Sequence, residues 1–134
     1  MSIVKLSEAT SLALHSLAYI AGQNCENASV KSIAKALGAS ENHLHKVMQS
    51  LVKHGLVLSG RGPKGGFVLA KKPEKISLLD IYETMEGPLV KKDCPLDRSI
   101  CPFGKDCMFC ELFTDLTERF RKYFSTKTLV SYIH

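Results

Sequence analysis

Apolar residues recur at three- and four-residue steps along the first 54 positions, a spacing typical of helices that bury one face. A serine precedes each of three such stretches, where its hydroxyl can cap the first turn. The predicted helices run from Ser7 to about Ala21, from Ser29 to Gly38 and from Ser40 to about His54. Their inward stripes consist of Leu14, Leu17, Ala18 and Ala21, then Val30, Ile33, Ala34 and Leu37, and then Leu44, Val47, Met48, Leu51 and Val52.

The second and third predicted helices form a helix-turn-helix, because only Ala39 separates Gly38 from Ser40. Two short apolar segments follow, at residues 56–58 and 67–69, and between them residues 60–66 include four glycines and Pro63. This pattern predicts a β-hairpin with a glycine-rich tip. A hairpin directly after the second helix of a helix-turn-helix is typical of a winged helix-turn-helix.

The second half begins with a polar connector and a short helix, whose capping box pairs Ser77 with Asp80 and which ends at Gly87. A cysteine-rich stretch, residues 91–110, precedes a long amphipathic helix with an aromatic stripe. That stripe comprises Phe109, Leu112, Phe113, Leu116, Phe120, Tyr123 and Phe124. We expect the long helix to pack against a second copy of the chain, with packing on its own first half as the alternative.

The pattern therefore predicts a mainly α fold with a small β-hairpin wing. Residues 1–72 form the DNA-binding domain in this interpretation, and residues 73–134 form a cysteine-loop sensor and dimerisation region. With 134 residues, 45% of them hydrophobic, the chain can bury one substantial core. It contains neither an apolar run of about 20 residues nor an apolar leader at its start, so we expect a cytoplasmic protein with no membrane partner.

Charge divides unevenly between the two halves. Residues 1–72 contain nine Lys or Arg against three Asp or Glu, a net +6, whereas residues 73–134 contain nine against ten, a net −1. This asymmetry indicates an anionic partner for the first half, and double-stranded DNA is the leading candidate. A solvated basic surface is the alternative.

Candidate DNA contacts lie on the third helix and the wing. Exposed side chains at the start of that helix would face the major groove, where Asn42 can pair with adenine and histidines can donate to guanine or phosphate. Arg61 on the wing tip can enter a narrow A·T-rich minor groove. The DNA-binding candidates are Ser40, Asn42, His43, His45, Lys46, Lys53, Arg61 and Lys64, of which Lys46, Lys53 and Lys64 would neutralise phosphates. Alternatively, His43 and His45 are ordinary surface residues.

Four of the five cysteines, Cys94, Cys101, Cys107 and Cys110, fall in one short polar stretch. Cys107 and Cys110 lie three residues apart at the expected start of the long helix, so both thiols share a face and the helix N-terminus favours thiolates. Four thiolates suit an iron-sulfur cluster, structural zinc or a metal-free redox switch. Zinc more typically uses two Cys-x-x-Cys pairs and only one is present, so we favour an iron-sulfur cluster.

The chain resembles the Rrf2 family of bacterial transcription regulators, which includes an iron-sulfur cluster regulator and a nitric-oxide-sensing repressor. The resemblance rests on the first helix with Leu14 and Ala18, on residues 29–38, on the wing sequence RGPKGGF at residues 61–67 and on the cysteine loop. It implies Cys94, Cys101 and Cys107 as three ligands of an iron-sulfur cluster, which we expect to be a two-iron or four-iron cluster. Most helix-turn-helix proteins bind palindromic sites as symmetric dimers, so we expect a homodimer on a palindromic operator.

The same resemblance indicates how this chain departs from the family. Cys110 stands where the iron-sulfur cluster regulator has a histidine ligand, and Ser11 stands where the nitric-oxide sensor has a ligating aspartate. His45 replaces a base-reading glutamate and His43 replaces a tyrosine, so the relative's operator preference does not transfer.

Two other classes of function are alternatives. A dithiol oxidoreductase would use Cys107 and Cys110, but the strand-helix-strand scaffold of such enzymes is not visible, and no small-molecule substrate or catalytic arrangement is evident. We therefore expect no enzymatic activity. A regulator controlled by a protein partner is the second alternative.

Overall fold

The computed structural model describes residues 6–23, 27–60, 65–89, 103 and 107–133. Over these residues the chain forms α1 (Glu8–Gly22), α2 (Val30–Leu37), α3 (Glu41–Lys53), β1 (Val57–Ser59), β2 (Phe67–Leu69), α4 (Leu78–Glu86) and α5 (Cys110–Thr126). Short 3₁₀ turns occupy Pro73–Lys75 and Leu129–Tyr132. The predicted fold class, mainly helical with one antiparallel hairpin, is confirmed. The division at residue 72 stays a prediction.

Serine caps start four of the helices, as the sequence predicts. The hydroxyls of Ser7, Ser29, Ser40 and Ser77 each accept a hydrogen bond from the backbone N–H three residues later. Gly38 ends α2 with φ of 63°, a left-handed conformation that costs glycine little. The turn between α2 and α3 is therefore encoded locally.

The core lies where α1, α2 and α3 meet. Its largest fully buried side chains there are Leu17, Ile20, Ile33, Leu44, Met48 and Leu51. Each such burial contributes about 1.5 to 3 kcal/mol before chain entropy is subtracted. On α1 the buried side includes Leu12 and Ala13, whereas the predicted Leu14 and Ala18 are only half-buried. Because α3, α4 and the last 3₁₀ turn contact α1 from different sides, the buried residues of α1 do not form one narrow stripe.

A third segment of the chain pairs with the two strands of the wing. Val57 to Ser59 pair antiparallel with Leu69 to Phe67, and Ala28, from the segment before α2, pairs with Phe67 on the other side. The Ala28 N–H donates to the Phe67 oxygen at 3.0 Å and the Phe67 N–H donates to the Ala28 oxygen at 2.7 Å. This brings the backbones so close that a Cβ on Gly66 would lie 2.7 Å from the Ala28 oxygen.

After α5 the chain returns to the first half. Thr128 forms a β-bridge with Ser77, and the Leu129 N–H donates to the Ile76 oxygen at 3.1 Å. The side chain of Leu129 is fully buried in the same core as Leu17. This return fixes the C-terminal end of α5 against the domain that contains α3.

The aromatic stripe of α5 divides between two environments. The ring of Tyr82 on α4 meets those of Phe120 and Phe124 edge-on, at centroid distances of 5.0 and 5.9 Å. In contrast, Leu112 and Tyr123 are each 52% exposed, and no residue of α5 is fully buried. Part of the stripe thus packs on its own chain, and part faces solvent.

The last residue of α4 contacts the cap of α1. The Glu86 carboxylate accepts hydrogen bonds from the Ser7 and Thr10 hydroxyls and from the Ser7 N–H. These hydrogen bonds favour the charged form, so they lower the pKa of Glu86. Thr10 is fully buried, and its hydroxyl is satisfied away from water by the Glu86 carboxylate and by the Ser7 hydroxyl 2.9 Å away.

We predict that Gly66→Ala destabilises the protein by about 1 to 3 kcal/mol, because a methyl group there would force the wing strand away from Ala28. The measurement is the free energy of unfolding in urea. Gly22→Ala is the matched control, since a Cβ at Gly22 meets no atom within 4 Å. Equal stability of the two variants would contradict the close approach.

We also predict that Glu86→Gln lowers the free energy of unfolding near pH 7 by about 1 kcal/mol, a modest value because the side chain is exposed. The folded-state pKa is lowered, so the carboxylate's contribution is present above about pH 4.3 and is lost as the pH falls through the folded-state pKa. The two proteins should therefore converge in acid. Urea melts between pH 7 and pH 3, with Glu74→Gln as control, test this, and a difference that persists at pH 3 would refute it.

Candidate DNA-reading surface and cysteine cluster

One face of α3 is buried and the other is exposed. The helix packs into the core through four buried side chains, those of Leu44, Val47, Met48 and Leu51. The opposite face presents Glu41, Asn42, His45, Lys46, Gln49 and Lys53 to solvent. Four of the predicted DNA contacts on α3, namely Asn42, His45, Lys46 and Lys53, therefore share one polar surface, which we call the α3 face. That they contact DNA stays a prediction.

Ser40 and His43 lie at the start of α3 and are engaged within the protein. The Ser40 hydroxyl accepts from the His43 N–H at 3.4 Å as the helix cap. His43 is half-buried, with its Nδ1 atom 3.7 Å from Oε1 of Glu8 on α1. They therefore occupy the edge of the α3 face, next to α1.

Gln49 is part of the α3 face and was missed by the sequence reasoning. Its Nε2 atom lies 3.1 Å from Nε2 of His45, and both side chains are exposed. The signal was present, because residues four apart on a helix are neighbours on its surface. The sequence prediction placed base-reading side chains only as far as Lys46 and took Lys53 as a phosphate contact, so it passed over Gln49 between them.

The structure describes the two strands at the base of the wing, whereas the tip of the wing lies outside the described residues. The Gly60 N–H donates to the Gly66 oxygen at 2.7 Å, which closes the hairpin below the tip. Arg61 and Lys64 fall at positions 61–64, so their predicted roles on DNA are not tested.

Exposed lysines occur on several elements of the first half. Lys31 and Lys35 lie on α2, Lys46 and Lys53 on α3, and Lys71 and Lys72 after β2. Glu8 and Glu41 lie in the first turns of α1 and α3, where a negative charge complements the helix dipole, and Asp80 and Glu83 line the same surface depression as Lys71. The described part of the first half thus combines lysines with an exposed helix of polar side chains.

Two of the four clustered cysteines can be placed. Cys110 is the first residue of α5 and Cys107 precedes it by three positions, and both are half-buried. The cap residue Phe109 makes no side-chain hydrogen bond to the helix start, so the N-terminal dipole is available to stabilise thiolates. Cys94 and Cys101 lie outside the described residues.

The donor set fits a thiolate-bound metal centre as far as the structure describes it. Within residues 6–23, 27–60, 65–89, 103 and 107–133, no three His, Cys, Asp or Glu side chains group to hold a metal. The predicted site would take its remaining ligands from Cys94 and Cys101, which lie outside these residues. Two sulfur atoms at one helix N-terminus are chemically suited to half of such a site. The assignment of all four ligands stays a prediction.

The segment after α4 is fastened to the middle of α5, about three turns from Cys110. The Leu89 N–H donates to Oε1 of Glu83 at 2.9 Å, and the Leu89 oxygen accepts from the Arg121 guanidinium. Apolar side chains near the cysteines are open to solvent, with Met108 78% and Phe109 47% exposed.

None of the helices that the structure describes is long and apolar enough to cross a membrane.

Comparison with known proteins gives a consistent result. The model of the Rrf2 family, described as iron-dependent transcriptional regulators, matches residues 6–134. A relative from Aquifex aeolicus named "Putative HTH-type transcriptional regulator" is 33% identical over 130 residues, which cover 96% of this chain and 90% of the relative.

Two solved structures share the fold over nearly the whole chain. CymR, the global cysteine regulator of B. subtilis, superposes with a TM-score of 0.77 at 27% identity and covers 96% of this chain and 95% of its own. IscR of T. potens gives a TM-score of 0.74 at 25% identity, with 96% and 85% covered.

Proposed function

Since the chain belongs to the Rrf2 family of transcriptional regulators, we propose that it binds operator DNA with an affinity controlled by an iron-sulfur cluster. Cys94, Cys101, Cys107 and Cys110 would hold the cluster. The α3 face would read the major groove, and Arg61 and Lys64 on the wing would contact the adjacent groove and phosphates. The observation that carries the DNA-binding part is the continuous exposed polar surface of α3 opposite its buried side.

A homodimer on a palindromic operator suits the exposed part of α5. Regulators of this family bind DNA and are typically dimeric. Leu112 and Tyr123 leave apolar surface open, and beside Tyr123 an apolar groove runs between α1, α5 and the last 3₁₀ turn. A second copy would cover this surface and place two α3 helices in successive major grooves.

The sensory part depends on how this chain connects the cysteines to α3. When bound, an iron-sulfur cluster supplies a centre whose stability responds to iron, oxygen or nitrogen oxides, and its assembly draws four thiolates together. Cys110 begins α5, Arg121 on α5 holds Leu89, and Glu86 holds the cap of α1. These contacts give a continuous physical route from the cysteines to the helix that packs on α3.

A thiol-based regulator is the second candidate. The structural neighbour CymR is named as a global cysteine regulator, and an oxidised form of CymR from Staphylococcus aureus, 28% identical, has a TM-score of 0.73. Cys107 and Cys110 lie near a helix N-terminus, which also favours reactive thiolates. Structural zinc and control by a protein partner are further alternatives. In each of them the chain remains a regulator and not an enzyme.

We expect protein purified without oxygen to contain iron and sulfide, and Cys110→Ser to lose most of both, because one ligand would be missing. Iron, sulfide and zinc analysis with an absorption spectrum measures this. Cys25→Ser is the matched control, since Cys25 lies outside the cluster of four.

Operator affinity should differ between loaded and apo protein by about 5- to 150-fold, the usual scale of allosteric coupling. Zinc without iron, or equal affinities, would favour the alternatives.

We expect Arg61→Ala to weaken specific binding most on operators with A·T-rich flanks, because a narrow minor groove concentrates negative potential. Titration of operators that differ only in their flanks measures the effect. Lys53→Ala should instead weaken binding to all sequences, since it contributes a phosphate contact. A loss for Arg61→Ala that is the same on random DNA would show that Arg61 only touches the backbone.

A further inference from the structure

The α3 face contains a polar pair that the roles above leave unexplained. His45 and Gln49 are both exposed, lie one helical turn apart and are joined by a 3.1 Å contact between their Nε2 atoms. We propose that Gln49 determines operator specificity and that it reads the DNA together with His45 as a single unit. This inference rests on the proposed function, because it assumes that α3 enters the major groove.

The contact pairs one donor with one acceptor. With the amide nitrogen of Gln49 facing Nε2 of His45, the amide donates, and the neutral ring accepts in the tautomer that carries its proton on Nδ1. Gln49 donates one of its two amide hydrogens in this contact. It keeps its second amide hydrogen and its Oε1 atom, and His45 keeps an N–H donor at Nδ1.

These remaining groups match the edge of particular bases. A donor and an acceptor on one amide fit N7 and N6 of adenine in the major groove, whereas the Nδ1 donor of His45 fits N7 or O6 of guanine or O4 of thymine. One helical turn advances about 5.4 Å, and neighbouring base pairs are about 3.4 Å apart. The pair would therefore read an adenine and an acceptor within about two base pairs of it.

The rest of α3 supports this reading. Val47 and Met48, which lie between the two side chains in sequence, are buried and hold the helix backbone in place. Lys46 and Lys53 are exposed on the same face and can approach phosphates beside the pair. The contact also orients both side chains before DNA arrives, so less conformational freedom is lost on binding.

The test is a binding matrix. The wild-type protein selects an operator from random duplex DNA, and affinities are then measured for every single base-pair variant of it. For Gln49→Ala we expect about a 5- to 150-fold loss of discrimination at one adenine in each half-site. Discrimination is expressed as the ratio of the affinities for the selected operator and for each variant, so a uniform change in DNA affinity cancels from the readout. Gln49→Glu should move the preference at that position from adenine to cytosine, because a carboxylate only accepts hydrogen bonds.

A double-mutant cycle tests the pairing itself. If His45 and Gln49 act as one unit, His45→Ala with Gln49→Ala should lose little more discrimination than the worse single variant. Lys46→Ala, from the same face, is the matched control, which should weaken all sequences equally and reduce the dependence on salt by about one phosphate contact. Thermal melting confirms folding, which substitutions at these exposed positions should leave intact.

The outcomes separate the two proposals. If the wild-type protein selects an operator but Gln49→Ala leaves every base preference unchanged, or Gln49→Glu retains adenine, Gln49 is not a specificity residue and the proposed function stands. Additive losses in the cycle would refute the single unit. A wild-type protein that prefers no sequence would overturn the proposed function itself.

Discussion

The burial of one side of α3 is the constraint on which the rest of the structure depends. Leu44, Met48 and Leu51 are completely inaccessible to solvent, and they fix both the rotation and the position of the helix. Because an α-helix repeats every 3.6 residues, this rotation decides which side chains face outward. The polar surface of α3 is therefore a consequence of core packing, and its composition can vary without disturbing the fold.

Features encoded within a few residues were predictable from the sequence. The serine caps, the left-handed Gly38 and the capping box at Ser77 and Asp80 all depend on neighbours close in the chain, and the structure has each of them. Contacts between distant segments were not predictable in this way. Neither the pairing of Ala28 with Phe67 nor the burial of Leu129 has a local signal, because both follow from how the completed helices pack.

The same distinction between local features and distant contacts applies to the candidate site. Helical periodicity correctly grouped Asn42, His45 and Lys46 on one surface, because the period of α3 alone determines it. The partners of individual side chains needed three dimensions, as His43 beside Glu8 illustrates. The wing tip and the first two clustered cysteines rest on sequence and family resemblance, and their roles stay predictions.

The return of the chain at Leu129 has a mechanical consequence. Glu86 on α4 holds the cap of α1, and the chain returns to the core at Leu129. Between these points α5 also packs on α4, where the ring of Tyr82 meets those of Phe120 and Phe124. The C-terminal end of α5 is therefore anchored to the domain that contains α3, whereas its N-terminal end carries Cys110. A displacement of Cys110 would thus act on a helix whose other end is fixed in the interior.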